Sequence, residues 1–299
     1  MSKHLHIDPF SGIAGDMFLG AAIDLGAPLD GILKALEPLS VKRPYHVTTQ
    51  RVQRHGIGAI DLKVHAGEGE HSHSHAHRPS HAHSHEHEHG HSHAHIHEHS
   101  HDPTHGHGHH HHHTHYHDIM AMIDQLQTTD RAKDRARRIT TALAEAEAKV
   151  HSMPIEKVHF HEVGAIDSIV DMLGSAVALE LLEVDTLSCG ALPISHGFVK
   201  CDHGMMPVPA PATAYLMRGV ATVGVDRKGE LVTPTGAAIV AALCESFGEP
   251  PAMTLHGVGY GAGDRENPDI PNLLRLMLGE KAKPGKQTPG AVEAPATAH

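Results

Sequence analysis

The chain has 299 residues, a formal charge of −11 with histidine neutral, no tryptophan and only 3% aromatic residues. Its three cysteines, Cys189, Cys201 and Cys244, are odd in number and widely spaced, which argues against a disulfide scaffold. The scarcity of aromatics disfavours base-stacking surfaces, and no basic cluster points to nucleic acid. No signal peptide and no bilayer-length apolar run is read in it, so a cytoplasmic protein without a membrane partner is expected.

The chain opens with HLHID, an alternating stretch that predicts a strand, followed by the glycine-bearing turn SGIAGD (11–16). Phe18, Ala21, Ala22 and Leu25 then share one helical face, with Gly26 placed to end the helix. A second helix is predicted over 29–37, closed by Pro38, and residues 45–65 read as a hairpin around HGIG.

Residues 71–117 hold 24 of the 36 histidines, interleaved with Ser, Ala, Gly and Glu. Such a stretch has too little apolar surface to offset the entropy of ordering itself, so a disordered insertion is expected over 66–117. Near pH 6.5 half the histidines would be protonated, moving the formal charge to about +7.

After the insertion, Ala132, Ala136, Ile139, Leu143, Ala146 and Val150 predict a long amphipathic helix capped by Thr129 or Asp130, with RAKDRARRI (131–139) as its solvated face. HFHEVGAIDSIVDMLGSAVALELLEV leads into another helix, with Ile169, Leu173, Val177 and Leu181 as its apolar stripe. PVPAPATAYLMRG predicts a proline-started helix ending at Gly219, VATVGV a strand, and LVTPTGAAIVAALCESFG a strand or loop entering a helix. GVGYGAGD reads as a glycine loop before a final strand, PNLLRLMLG, and a loose tail begins at Lys281. The expected fold class is α/β (mixed α+β). Residues 1–65 and 118–280 form one globular domain, interrupted by the His-rich metal-binding insertion at 66–117 and followed by a disordered tail at 281–299.

Six segments carry candidate chemistry. The H-x-H repeats offer interchangeable imidazole pairs to Ni, Zn, Cu or Co without choosing among them. In HFHEVGAIDSIVD, His159 and His161 project to one side if extended, and Asp167 and Asp171 lie four apart on one helical face, away from the apolar stripe. Those four suit a borderline divalent ion, with Glu162 or Asp167 as a base; the alternative is that Asp167 caps the helix and the histidines make ordinary buried hydrogen bonds. His6 and Asp8, in period with His4, extend the metal set, and Asp16 follows the turn. The Gly12–Gly15 turn and the Thr235–Gly236 helix start could each hold a phosphate, or could simply be a tight turn and a helix cap. His196, Cys201, Asp202 and His203 form a weaker grouping, and Asp264 follows the last glycine run.

Taken in order, DPFSGIAGDMFLGAAIDLGA, HFHEVGAIDSIVD, HGMMPVPAPAT, GELVTPTGAAI and GYGAGDRENPDIPNLLR closely resemble the LarC family of nickel insertases. The resemblance covers most of residues 1–65 and 118–279. It implies insertion of Ni²⁺ into pyridinium-3,5-bisthiocarboxylic acid mononucleotide, with one nickel–carbon and two nickel–sulfur bonds, in a CTP-dependent reaction. It also implies a further C-terminal domain associated with CTP binding, which in some members is separately encoded. The competing expectations are a nickel storage or chaperone protein without covalent chemistry, and one half of a two-part insertase. A homo-oligomer is compatible with either.

Overall fold

The computed structural model describes residues 2–67, 114–160, 163–201 and 203–282. The expected insertion therefore lies largely outside the described residues, and so do His161, Glu162 and Asp202. The described residues resume at Thr114, however, inside the stretch assigned to the insertion.

Strand β1 (Lys3–Asp8) runs through Pro9–Ala14 into helix α1 (Gly15–Asp24), which ends where Gly26 adopts φ +116°. Helix α2 (Leu29–Ala35) stops two residues earlier than predicted, and Pro38 does not terminate it. Instead Pro38 occupies the first turn of the next helix, α3 (Glu37–Lys42), where its missing N–H costs nothing. The HGIG signal is a tight hairpin: β2 (Tyr45–Arg54) and β3 (Ile57–Ala66) are joined by His55 at φ 50° and Gly56 at φ 79°, the positive pair a two-residue turn needs.

The chain re-enters as β4 (Thr114–His115) and α4 (Tyr116–Gln125), then forms the long helix α5 (Asp130–Val150). The Thr129 hydroxyl accepts the Ala132 N–H at 3.2 Å, so Thr129, not Asp130, is the cap. Ala132, Ala136, Ile139 and Leu143 are buried as the periodicity requires. The neighbouring basic face is only partly solvated. Arg131 pairs with Glu180 at 2.6 Å, but Arg135 is buried and donates to the Val184 carbonyl.

Strand β5 (His159–Phe160) pairs with β4, and α6 (Ile166–Leu181) follows. This helix departs from a simple amphipathic reading, because burial runs around most of it while Leu181, at the end of the predicted stripe, is 40% exposed. Then come β6 (Val184–Cys189), β7 (Leu192–His196) and the hairpin β8 (Phe198–Cys201) and β9 (Gly204–Pro207). Helix α7 (Pro211–Leu216) begins on its proline and is followed by β10 (Thr222–Lys228), α8 (Pro234–Leu243), β11 (Cys244–Phe247), β12 (Met253–Ala262) and β13 (Leu273–Lys281).

The main sheet has the order β11-β6-β1-β13-β12-β3-β2. β1, β6 and β11 are parallel, β13 runs against both β1 and β12, and β12 is parallel to β3. Mixed pairing and covering helices confirm the α/β expectation. Helix α1 lies against β12, β3 and β13, α6 packs on α1, and α5 covers α6, α7 and α8.

The predicted glycine loop GVGYGAGD is for the most part strand β12. Gly259 and Gly261 lie on one face of it, and a Cβ there would sit 2.2 Å from the Ala21 carbonyl oxygen and 1.8 Å from that of Met17. These glycines are needed because the α1 backbone rests directly on the strand. That close seating fixes the height of α1 over the sheet.

Candidate functional site

Helix α1 has no cap of its own: its N-cap residue is Ala14. Its first donors are satisfied from elsewhere in the chain. The Gly15 N–H donates to Thr235 Oγ1 at 3.2 Å, and the Asp16 N–H serves the Asp171 carboxylate. Such caps are worth about 1 kcal/mol each. Thr233 caps α8 in turn, accepting the Gly236 N–H at 3.3 Å. Ile13 donates to the Leu231 carbonyl at 2.9 Å, and its own carbonyl accepts from Thr233 at 3.0 Å.

The two glycine/threonine motifs are thus halves of one clasp. Glycine is required on both sides: a Cβ on Gly12, at φ +119°, would be 2.1 Å from the Leu231 oxygen, and one on Gly236 would be 2.5 Å from the Ile13 oxygen. A Cβ on Gly15 would be 2.7 Å from that of Asp171. The N–H groups of Gly15 and Gly236, expected to meet a phosphate, have protein acceptors instead. The motif's tightness serves packing.

What the clasp presents is acid. Asp171 is buried, with Oδ1 making no hydrogen bond, and burial raises its pKa well above the ordinary carboxylate value; the charges of Asp16 and Asp167 add to this. Asp16 is half-buried, and its pKa is pushed up to about 6, chiefly by desolvation and against the pull of Lys63. Lys63 Nζ lies 2.9 Å from Asp61 and 3.8 Å from Asp16, and also pairs with Asp264. Asp61 and Lys63 are two apart on β3 and so share a face.

These two residues were not singled out from the sequence; the alternation in IGAIDLKV was the available signal. Asp171 was expected on a polar face and is buried instead, because α6 is enclosed by α1 on that side. Asp167 lies in the first turn of α6, whose N-cap residue is Ala165, and its Oδ1 accepts the Ser168 N–H at 2.7 Å.

The other candidates lie apart from this centre. His6 is buried in the sheet, with Nδ1 2.8 Å from Ser188 Oγ, and burial lowers its pKa. Its neighbour His4 contacts Thr186 at 2.7 Å and Ser188 at 2.8 Å, and burial lowers its pKa to about 4. Asp8 receives Arg275 Nε at 2.8 Å and its Nη2. These contacts engage the strand's polar groups within the sheet.

His159 stands beside His115, with ring centroids 6.1 Å apart. His196 pairs with Asp226 at 3.0 Å. Among the described residues, no three His, Cys, Asp or Glu side chains converge closely enough to hold a metal ion. The quartet that included His159, Asp167 and Asp171 is therefore not assembled on described residues; its remaining member, His161, falls outside them. Among the described residues, no helix is long and apolar enough to cross a membrane.

The sequence matches the family described as "Nickel insertion protein" over residues 5–295. The chain belongs to this family. A "Putative nickel insertion protein" of Geobacter sp. (strain M21) is 42% identical over 281 residues, covering 94% of this chain and 62% of the relative. One of the same name from Geobacter metallireducens is 43% identical over 279 residues, covering 93% and 61%. A Geobacillus kaustophilus relative is named "Pyridinium-3,5-bisthiocarboxylic acid mononucleotide nickel insertion protein". It is 40% identical over 281 residues, covering 94% of this chain and 61% of its own length. This nickel insertion family member spans about three-fifths of the length of the curated relatives it matches. No solved structure matches the chain.

Proposed function

We propose that the chain inserts Ni²⁺ into pyridinium-3,5-bisthiocarboxylic acid mononucleotide to form the nickel-pincer cofactor. Family membership and the name of the Geobacillus relative support this substrate. The structural observation that carries it is the buried Asp16–Asp171 pair beneath the glycine clasp. In the reaction two thiocarboxylate sulfurs bind Ni²⁺. The ring C–H bond between them breaks, its electron pair becomes the nickel–carbon bond, and the proton leaves to a base.

Burial and mutual repulsion leave the Asp16–Asp171 pair holding a proton at pH values where exposed aspartates have lost theirs. Such a pair can accept the ring proton near neutrality. Asp167 adds negative charge that attracts the metal, and Lys63 limits the repulsion among the carboxylates. Glu162 is the alternative base, and His159 and His161 are the imidazoles next to it in sequence. The H-x-H segment collects Ni²⁺ as substrate. On this reading the insertion uses CTP, as the resemblance to the family implies.

The test is cofactor formation by the protein with CTP, the mononucleotide and saturating Ni²⁺, followed by mass spectrometry. Asp16→Asn and Asp171→Asn are each expected to slow formation by about 10²- to 10³-fold, the usual worth of a positioned base. A nickel store or chaperone would form no cofactor in this assay, so absence of product from the parent would overturn the proposal, and an unchanged rate in both variants would place the base elsewhere.

A further inference from the structure

Outside the acidic clasp, five of the described histidines fall in two groups, at the β4–β5 pair and where the end of α5 meets the β8–β9 hairpin, together the rim of the fold. The Gly67 N–H donates to the Pro44 carbonyl at 2.7 Å, and Arg43 Nη1 donates to Thr114 Oγ1 at 2.9 Å. The chain thus leaves the described fold at Gly67 and returns at Thr114 beside the same two residues. At that return point His115 stacks on His117 with centroids 5.3 Å apart, and His115 pairs with His159 across β4 and β5.

The charge of His159 is felt at His151, at the C-terminal end of α5, and so is that of His203. His203 sits at the tip of the β8–β9 hairpin, its ring 4.9 Å from that of His151. Glu147 lies one turn before His151, 3.5 Å from its Nε2. His115, His117 and His203 are exposed, while His151 and His159 are half-buried. None of these contacts involves the carboxylates of the clasp.

We infer that two groups, His117–His115–His159 and His151–His203, form a surface relay for a borderline divalent cation such as Ni²⁺, held two imidazoles at a time. Neutral imidazole is the ligand such ions prefer over backbone or water oxygen. A closed site of three or four ligands would retain the ion, whereas pairs at 5–6 Å leave coordination positions open for ligand exchange. The inference deepens the proposed insertion by giving the nickel substrate a route over the folded body, and it rests on that reading only for the ion's destination.

Two measurements on the full chain separate the route from the chemistry. The first is carbethoxylation of histidines, mapped by mass spectrometry, with Ni²⁺ added beyond the capacity of the His-rich segment. His151 and His203 are expected to be protected together by about threefold or more, as are His115 and His159, while the exposed His256 is unaffected. Protection confined to residues 71–113 would overturn the relay, whether or not the chain makes cofactor.

The second measurement is the nickel dependence of cofactor formation by the double variant His151→Ala/His203→Ala. The relay predicts a rate lowered by about tenfold at limiting Ni²⁺ and restored at saturation, a change in apparent KM with kcat unchanged. An unchanged rate at limiting Ni²⁺ would also overturn it.

Discussion

The clasp and the rim hold opposite kinds of titratable group by opposite means. In the clasp, Asp171 is pinned beneath Gly15 by backbone contacts that tolerate no Cβ, and burial shifts its proton affinity. At the rim, imidazoles of short strands, a helix end and a hairpin tip are exposed or half-buried, with paired ring centroids about 5–6 Å apart. Buried groups placed by packing suit proton transfer at a fixed point. Exposed pairs suit the passage of an ion that must bind and leave. On the proposed reading, the contrast teaches that the conspicuous residue type handles supply, while quieter residues inside the glycine motifs do the chemistry.

The contrast breaks most severely at Gly261→Ala. Its methyl would fall 1.8 Å from the Met17 oxygen, forcing α1 off β12 and dismantling the clasp. A loss of about 3 kcal/mol or more is expected from the denaturation midpoint, since neither backbone can give way cheaply. The rim rests on other elements, so its histidines should keep their reactivity in whatever fraction of the variant remains folded.

A smaller effect sharpens the electrostatic side. Asp16 and Asp171 have raised folded-state pKa values, so they favour the folded state at acid pH, and this contribution is lost as pH rises through about 6. Asp16→Asn should therefore gain stability relative to the parent between pH 4 and pH 8, by about 2 kcal/mol after allowance for partial exposure. His4, lowered to about 4, works in the other direction: its contribution is complete above pH 6.5 and is lost as pH falls through about 4. Chemical denaturation of parent and variant across this range checks the sign. A relative gain toward low pH would contradict the burial argument.

Much of this organisation was legible in the sequence. HGIG specified its turn, the α5 stripe specified its buried face, and of the two readings open for each motif the structure matches the tight turn at GIAGD and the helix cap at TPTG. Their mutual contact was not legible, because Ile13 and Leu231 meet only through tertiary packing. GVGYGAGD reads as a loop from composition, yet its alternate glycines are what a strand needs when a helix backbone lies on it. Pro38 is compatible with either end of a helix, and the structure uses it at a start. The polar-face reading of Asp171 failed because a carboxylate capping another helix can be enclosed where periodicity assigns it to solvent.

The most direct test of the carboxylate base is the pH dependence of cofactor formation at saturating Ni²⁺, where supply along the rim no longer limits the rate. The rate is expected to rise through a midpoint near pH 6, as the pair takes up its basic form, and to lose that step in Asp16→Asn. A rate flat from pH 5 to pH 8, or a step that survives the substitution, would place the base elsewhere.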